Sequence, residues 1–258
     1  MLIHPVWRTF FQSPAPLIKV LDIREDVSNL TTYTFTAVNI PDLGSNRGVT
    51  DTNGTNPMLK SASNKNIIVF IHGEDAATAF SLSSCTLGGV AGSELTDRGG
   101  ATNAINSGIY YWRSSVLDDI TTTDIVVTWS EAVTGCAIGV CSAENVSFAT
   151  ANGGSVTGTG TLSMLPNPSP TALETFPTII VASTLSAGAG AETFQLLQST
   201  GTGAVSPMLL YEGSNAEFSY AAAYTYLPSW YGENISPITM DVSWSGATAG
   251  DATSALLV

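Results

Sequence analysis

Basic side chains are missing from the second half of this chain. All eight Lys and Arg residues and both His residues lie at or before Arg113, whereas twelve of the 21 Asp and Glu residues follow it. The formal net charge of −13 therefore belongs almost wholly to the part after Arg113. Nucleic-acid binding needs the opposite sign, because Lys and Arg must neutralise phosphates. The charge distribution predicts a protein that binds no nucleic acid.

Cysteine is also scarce. Cys85, Cys136 and Cys141 are too few for a disulfide framework, and their odd number leaves at least one thiol over. All three lie among small and apolar residues, which favours buried, reduced thiols in a protein that folds in a reducing cytoplasm. Cys136 and Cys141 are five residues apart, so in one strand they would point to opposite faces.

Long apolar runs are absent. No stretch reaches the ~18 apolar residues that a membrane-spanning helix requires. The first 16 residues (MLIHPVWRTFFQSPAP) lack the basic region, the continuous apolar core and the small-residue cleavage site of a signal peptide. We therefore expect neither a membrane partner nor a secretion signal.

The chain is rich instead in short apolar or alternating runs, separated by Gly, Ser, Thr, Asn and Pro. Charged residues make up 11% of it, less than half of the usual ~25%. Such runs predict an all-β protein, an antiparallel β-sandwich of the jelly-roll or Ig-like kind, as one large unit or two small ones. The predicted strands lie at residues 32–38, 66–71, 107–113, 124–129, 178–182, 220–227, 238–244 and 254–258.

Residues 66–71 (NIIVFI) form a continuous apolar run, which is typical of a strand covered on both faces. Residues 41–65 and 152–174 are predicted to be long surface loops because small and polar residues dominate them. Residues 76–84 are predicted to form one short helical segment.

Two segments of the chain echo each other. Residues 127–135 (VTWSEAVTG) and 242–250 (VSWSGATAG) share Val, Trp, Ser, Ala and Gly at the same spacing. The apolar runs at Ile67 and Ile179 precede them by similar distances. The echo predicts two pseudo-repeated halves with a boundary near residues 145–175. The alternative is that Val-X-Trp-Ser is a common strand ending.

No catalytic constellation is evident in the sequence. His72 and Gly73 after an apolar run would suit the oxyanion side of an α/β-hydrolase, but no Gly-X-Ser-X-Gly elbow occurs and no His follows position 72. We interpret His72 as a strand-end side chain bonded to a turn. We expect no catalytic residue, no cofactor and no enzymatic activity.

Acidic residues provide weak calcium candidates. Asp118, Asp119 and Asp124 form one group, and Asp22 with residues 25–26 forms another, but neither fits an EF-hand. Solvated acidic turns are the favoured interpretation, and we predict no metal site.

Tyr226, Trp230 and Tyr231 are the candidate glycan-binding residues, since aromatics in the turn after a strand can stack on sugars. The alternative is that they cap the end of the sandwich.

Five segments together resemble a family of β-sandwich proteins encoded in tailed-phage and prophage genomes, described as virion, tail or head-associated structural proteins. The segments are residues 33–39 (YTFTAVN), 67–73 (IIVFIHG), 84–91 (SCTLGGVA), 124–140 (DIVVTWSEAVTGCAIGV) and 242–246 (VSWSG). They are fold motifs and carry no active site. The resemblance runs from about residue 30 to the end of the chain, whereas residues 1–25 and 41–65 depart from it.

The resemblance implies a non-enzymatic virion component that is made in the host cytoplasm. Capsid decoration comes first among the expected roles, and a tail or baseplate position second. The expected partners are other virion proteins, meaning capsid or tail subunits, and further copies of the chain in a homo-oligomer. The alternative function is a carbohydrate- or receptor-binding β-sandwich module.

Residues 1–20 are predicted to be an extended N-terminal anchoring arm, and residues 21–258 the β-sandwich. The arm concentrates apolar side chains, of which Val6, Trp7, Phe10 and Phe11 are the expected partner-binding residues, and its prolines interrupt any helix or ladder. The alternative is that these aromatics fold back onto the chain's own sandwich.

We predict that the purified protein shifts no DNA or RNA in a gel mobility assay at low salt, because its acidic surface repels phosphates. Binding at micromolar concentration that weakens with added salt would contradict this prediction.

Overall fold

The fold is seen in a computed structural model. It describes residues 17–37, 65–75, 79–97, 105–113, 115–117, 120, 122–144, 146, 154–158, 161–164, 178–187, 195–197, 208–214, 218–227, 240–243 and 249–257. The regular elements of this part of the chain are β-strands. Their bounds are β1 Leu17–Asp26, β2 Leu30–Thr36, β3 Lys65–Glu74, β4 Leu82–Leu87, β5 Val90–Ala91, β6 Ser93–Asp97, β7 Ile105–Trp112, β8 Asp124–Val133, β9 Gly135–Glu144, β10 Gly154–Gly158, β11 Thr161–Met164, β12 Thr178–Ala187, β13 Gln195–Leu197, β14 Met208–Ser214, β15 Phe218–Leu227, β16 Met240–Ser243 and β17 Ala249–Leu257.

The strands form four antiparallel sheets. Sheet 1 has the order β1-β9-β3-β7-β6, and sheet 2 the order β2-β8-β4-β5. Sheet 3 has the order β10-β17-β12-β15-β14, and sheet 4 the order β11-β16-β13. The prediction of an all-β, antiparallel sandwich is confirmed.

The same topology occurs twice along the chain. Sheet 3 repeats the order of sheet 1 when β10, β17, β12, β15 and β14 replace β1, β9, β3, β7 and β6. Sheet 4 repeats sheet 2 in the same way, with β11, β16 and β13 in place of β2, β8 and β4. Each half has the strand order of a jelly roll, in which the first strand pairs with the last. The pseudo-repeated halves predicted from the sequence are confirmed.

The echoed segments fall on equivalent strands of this repeat. Val127 lies in β8 and Val242 in β16, and the runs that contain Ile67 and Ile179 become β3 and β12. Trp244 lies outside the described residues, so its equivalence to Trp129 stays a prediction.

One hydrophobic core fills the first jelly roll, between sheets 1 and 2. Its largest side chains include Phe80 and Trp129, which are both buried against the inner face of β3. Ile67, Val69 and Ile71 supply that face, at the period of two that a strand imposes. We call this cluster the inner core.

A second core lies between sheet 1 and sheet 3, and joins the two jelly rolls. Ile68 and Phe70 enter it from the opposite face of β3, and Tyr211, Phe218 and Tyr220 meet them from sheet 3. We call this cluster the interface core. Sheet 1 is therefore covered on both faces, which explains why β9 is buried from Gly135 to Ala143.

The two halves meet in a pseudo-twofold manner. β1 contacts β14 while its counterpart β10 contacts β6, the counterpart of β14. Likewise β9 contacts β15 while β17 contacts β7, and β3 faces its own counterpart β12. This reciprocal pattern is that of an isologous dimer interface, here within a single chain.

Glycines in β9 receive aromatic rings from the second jelly roll. A Cβ on Gly139 would collide with the ring of Tyr211, and a Cβ on Gly135 would lie 2.7 Å from Phe218. We call these two glycines sockets, because each leaves the space that one aromatic ring occupies. That space sets how closely the two sheets approach.

The three cysteines are free and buried, as predicted. Cys141 lies in the interface core, and Cys85 and Cys136 lie in the inner core. The prediction that Cys136 and Cys141 point to opposite faces of one strand is confirmed.

Three predicted boundaries were wrong. Residues 82–84, assigned to a helical segment, begin β4, and residues 152–174, assigned to a loop, contain β10 and β11. Small-residue strands there lack the apolar alternation that identifies a strand from sequence. Residues 17–20, assigned to the arm, begin β1, and Ile18 is buried in the interface core. Residues 1–16 lie outside the described residues.

We predict that Gly139→Ala lowers the free energy of unfolding by about 1–3 kcal/mol, because the added methyl group overpacks the site of Tyr211. Denaturant unfolding measures the loss. In a Tyr211→Ala background the same substitution should cost far less, because the ring that it meets is gone. An equal cost in both backgrounds would show that the socket does not exist.

Candidate functional site

A cluster of polar side chains lies at the centre of the contact between the two jelly rolls. His72 comes from β3 and Ser107 from β7, both in sheet 1. Ser183 of β12, with Asp251 and Thr253 of β17, faces them from sheet 3. All five residues have no exposed surface. The group thus combines a His, two Ser, a Thr and an Asp in one buried site.

Hydrogen bonds cross from one sheet to the other within the cluster. The Ser107 hydroxyl lies 3.0 Å from the Ser183 hydroxyl and 3.3 Å from that of Thr253. The Ser107 backbone amide donates to Asp251 Oδ2 at 2.9 Å. A buried carboxylate is costly unless it accepts such bonds, so Asp251 ties β17 to β7 at this point.

His72 extends the cluster toward an aromatic group. Its ring nitrogens lie 3.4 and 3.5 Å from the Ser183 hydroxyl, and Nε2 lies 3.3 Å from the Tyr211 hydroxyl. The rings of Tyr211 and Tyr220 pack against the imidazole, with centroids 6.4 and 5.4 Å away. The imidazole thus bridges the polar cluster and the interface core.

Burial controls protonation throughout this region. It lowers the pKa of His72 to about 3, so the imidazole is neutral at pH 7. Burial also raises the pKa of Tyr211 well above its usual value. Tyr220 has a raised pKa, from burial first and from its hydrogen bond to Glu25 second. The imidazole of His72 and the phenols of Tyr211 and Tyr220 are therefore uncharged at pH 7.

The residue types are those of a Ser-His-Asp triad, but the arrangement does not suit that chemistry. A triad carboxylate stabilises the protonated imidazole, whereas the pKa of His72 is lowered, by burial. The hydroxyls of Ser107 and Ser183 are buried between two sheets. A substrate carbonyl could reach them only if the jelly rolls separated. The arrangement suits a polar lock that fixes how the two halves are aligned.

The interpretation of His72 as a strand-end residue bonded to a turn was wrong. It lies within β3 and bonds across the interface to sheet 3. Nothing in the local sequence indicates these contacts, because the partners Ser183 and Tyr211 are more than 110 residues away in the chain. Ser107, Ser183, Asp251 and Thr253 were also missed. Asp251 and Thr253 occupy alternate positions of β17, but Ser107 and Ser183 stand beside other polar residues, so no pattern singled them out.

The described residues include one of the three candidate glycan-binding residues, Tyr226. Tyr226 lies in β15 and not in a turn, and it is half-buried against the interface core. Trp230 and Tyr231 lie outside the described residues.

Two of the acidic candidates for calcium, Asp124 and Asp22, have other partners in the described residues. Asp124 begins β8 and accepts a hydrogen bond from the Thr36 hydroxyl at 2.6 Å. Asp22 pairs with Arg24 at 3.2 Å. Asp118 and Asp119 lie outside the described residues, as do Val6, Trp7, Phe10 and Phe11. Within the described ranges, no three His, Cys, Asp or Glu residues are grouped to hold a metal ion.

Comparison with known proteins adds no family. No family model matches the chain, and no curated protein is detectably similar to it. No helix in the described residues is long and apolar enough to cross a membrane.

We predict that His72 makes folding stability depend on pH. The pKa of His72 is about 3 in the folded protein and 6.5 in an ordinary setting. Below pH 6.5 the unfolded chain therefore binds a proton that the folded chain does not. The contribution of a neutral His72 is complete above pH 6.5 and falls by about 1.4 kcal/mol per pH unit between 6.5 and 3.

Urea unfolding of the wild type and His72→Gln at pH 7, 6 and 5 tests this. The free energy of unfolding of the wild type should fall toward that of His72→Gln as the pH falls, because only the wild type loses the contribution of a neutral His72. Carboxylate titrations are common to both proteins and cancel in the difference. A difference that does not change with pH would contradict the prediction.

Proposed function

We propose that the chain is a non-enzymatic structural component of a tailed-phage virion. Capsid decoration is the first role, and attachment to the tail or baseplate is the second. The link to phages rests on the resemblance of five sequence segments. The architecture supports the structural part of the proposal independently of that resemblance.

The observation that carries the proposal is that the polar cluster forms hydrogen bonds between the two jelly rolls. The groups best able to do chemistry, His72, Ser183 and Asp251, are buried between two packed sheets. They hold two jelly rolls together as one block. Jelly rolls form capsid proteins and also lectins, so the fold suits an assembly subunit without specifying its place.

Charge also favours a position in a particle. The net charge of −13 disfavours contact with packaged DNA. A strongly acidic block suits the outer surface of a capsid or the lining of a tail, where affinity for DNA would be harmful.

We predict that the chain joins the particle with a fixed stoichiometry, through residues 1–16. A tagged copy, supplied in cells that produce the phage encoding this chain, should co-purify with particles through a density gradient. Deletion of residues 1–16 should leave the melting temperature unchanged and abolish co-purification. The deletion stops before Leu17 because Ile18 belongs to the interface core.

A full-length variant with Trp7, Phe10 and Phe11 changed to Ser keeps the length of the arm. It therefore separates the loss of the aromatic side chains from the loss of the segment. It should fail to join the particle in the same way. A melting temperature that drops sharply in either variant would assign these aromatics to the chain's own core. Particles that exclude the wild-type chain would refute the structural role.

A further inference from the structure

The two faces of sheet 3 differ in the kind of side chain that they carry. In β15, Phe218, Tyr220 and Ala222 lie in the interface core. The residues that alternate with them point to the opposite face, which is turned away from the first jelly roll. These residues are also buried, although they are small or carry a hydroxyl group: Ser219, Ala221, Ala223 and Thr225.

β17 is divided in the same way. Asp251 and Thr253 point into the polar cluster, so Ser254, the next residue, points to the opposite face. Ser254 and Ala223 pair with the same residue of β12, Ala182, and therefore lie on one face of the sheet. We call this the hydroxyl face of sheet 3. Its described side chains are those of Ser219, Ala221, Ala223, Thr225 and Ser254.

Three hydroxyl groups of the hydroxyl face have no hydrogen-bond partner in the described part of the chain. They are Ser219 Oγ, Thr225 Oγ1 and Ser254 Oγ, and the three residues are 1, 5 and 0% exposed. A buried polar group without a partner has lost its hydrogen bonds to water and gained none in return. The closed molecule is therefore destabilised at three points of this face.

The corresponding face of sheet 1 is built from larger apolar side chains. β7, the counterpart of β15, places Tyr110 and Trp112 in the inner core, against sheet 2. The indole N–H of Trp129 also lacks a partner there, but its ring is packed within that core. On β15 the described positions of this face hold nothing larger than Thr225. Sheet 3 thus offers sheet 4 much less apolar area than sheet 1 offers sheet 2.

Sheet 4 is also small. Its strands β11, β16 and β13 have four, four and three residues. Their counterparts β2, β8 and β4 in sheet 2 have seven, ten and six. Strands as short as those of sheet 4 depend on packing against another layer. Regions with little buried apolar contact are the ones that open first in a folded protein.

We propose that sheet 4 is a lid, which opens from sheet 3 while the rest of the molecule stays folded. Opening brings water to the three hydroxyl groups, and it exposes little apolar area on the hydroxyl face. Sheet 3 keeps its structure in the open state, because the interface core and the polar cluster hold its other face against sheet 1. This property does not depend on the proposed phage role.

Native-state hydrogen exchange of the full chain tests the proposal. After correction for intrinsic rates, amides of β11, β13 and β16 should exchange about 100-fold or more faster than those of β2, β4 and β8. The central strands of sheet 3, β12 and β15, should exchange as slowly as β3 and β9. Added urea should accelerate the lid amides only weakly, because lid opening exposes less surface than global unfolding.

Two substitutions test whether the hydroxyl groups cause the opening. Thr225→Val and Ser254→Ala each remove one hydroxyl group with little change in shape. Each should slow the exchange of the lid amides about tenfold, because the closed state no longer contains that unpaired group. Ser183→Ala is the matched control, since its hydroxyl is equally buried but lies 3.0 Å from that of Ser107. It should not slow the lid amides.

Lid amides that exchange as slowly as those of β2, β4 and β8 would overturn the proposal, whatever the variants show. Variants Thr225→Val and Ser254→Ala whose lid amides exchange at the wild-type rate or faster would overturn it too. That result would mean that internal water already satisfies these hydroxyl groups in the closed state. Exchange of β12 and β15 together with the lid would show that the whole second jelly roll opens instead.

Discussion

The structure depends on the burial of sheet 1 on both faces. A sheet in a simple sandwich needs one apolar face, but sheet 1 has to cover sheet 2 on one side and sheet 3 on the other. β3 therefore alternates between two cores, with Ile67 and Val69 in the inner core and Ile68 and Phe70 in the interface core. The continuous apolar run in the sequence is the direct result. Without sheet 3, a five-stranded apolar face would be open to water.

The polar cluster fixes the alignment of sheets 1 and 3, which their buried apolar faces alone would not fix. Two flat apolar sheets can slide over each other at little cost, since hydrophobic contact has no direction. Hydrogen bonds have direction, and one placed at the centre of the interface penalises every other alignment by leaving buried donors and acceptors unpaired. Ser107 meets Ser183 and Asp251 at this point, close to where β3 crosses its counterpart β12. The sockets at Gly135 and Gly139 add a steric constraint to the same alignment.

Local pattern was enough to predict the strands and the repeat, but not the site. Val127 and Val242 lie on equivalent strands, β8 and β16, so the repeat is visible in the sequence. The strands β10 and β11 were not predicted, because their small residues are also typical of loops. His72 was misjudged because its surroundings come from sheet 3, and neither periodicity nor spacing encodes which side chains meet across two halves. Where the echoed Trp244 lies, and whether Trp230 and Tyr231 share a surface with Tyr226, remain predictions from sequence.

The division of the interface core between two halves has a consequence for how the chain is made. β9, the last strand of the first jelly roll, ends at Glu144, whereas Phe218 and Tyr220 follow much later. At a synthesis rate of about 5–20 residues per second, the outward apolar face of sheet 1 waits on the order of ten seconds for its cover. During that interval two nascent first halves could pair through the same surface, because the finished interface is itself twofold in character. The order of synthesis therefore leaves the outward face of sheet 1 uncovered until β12 to β17 have been made.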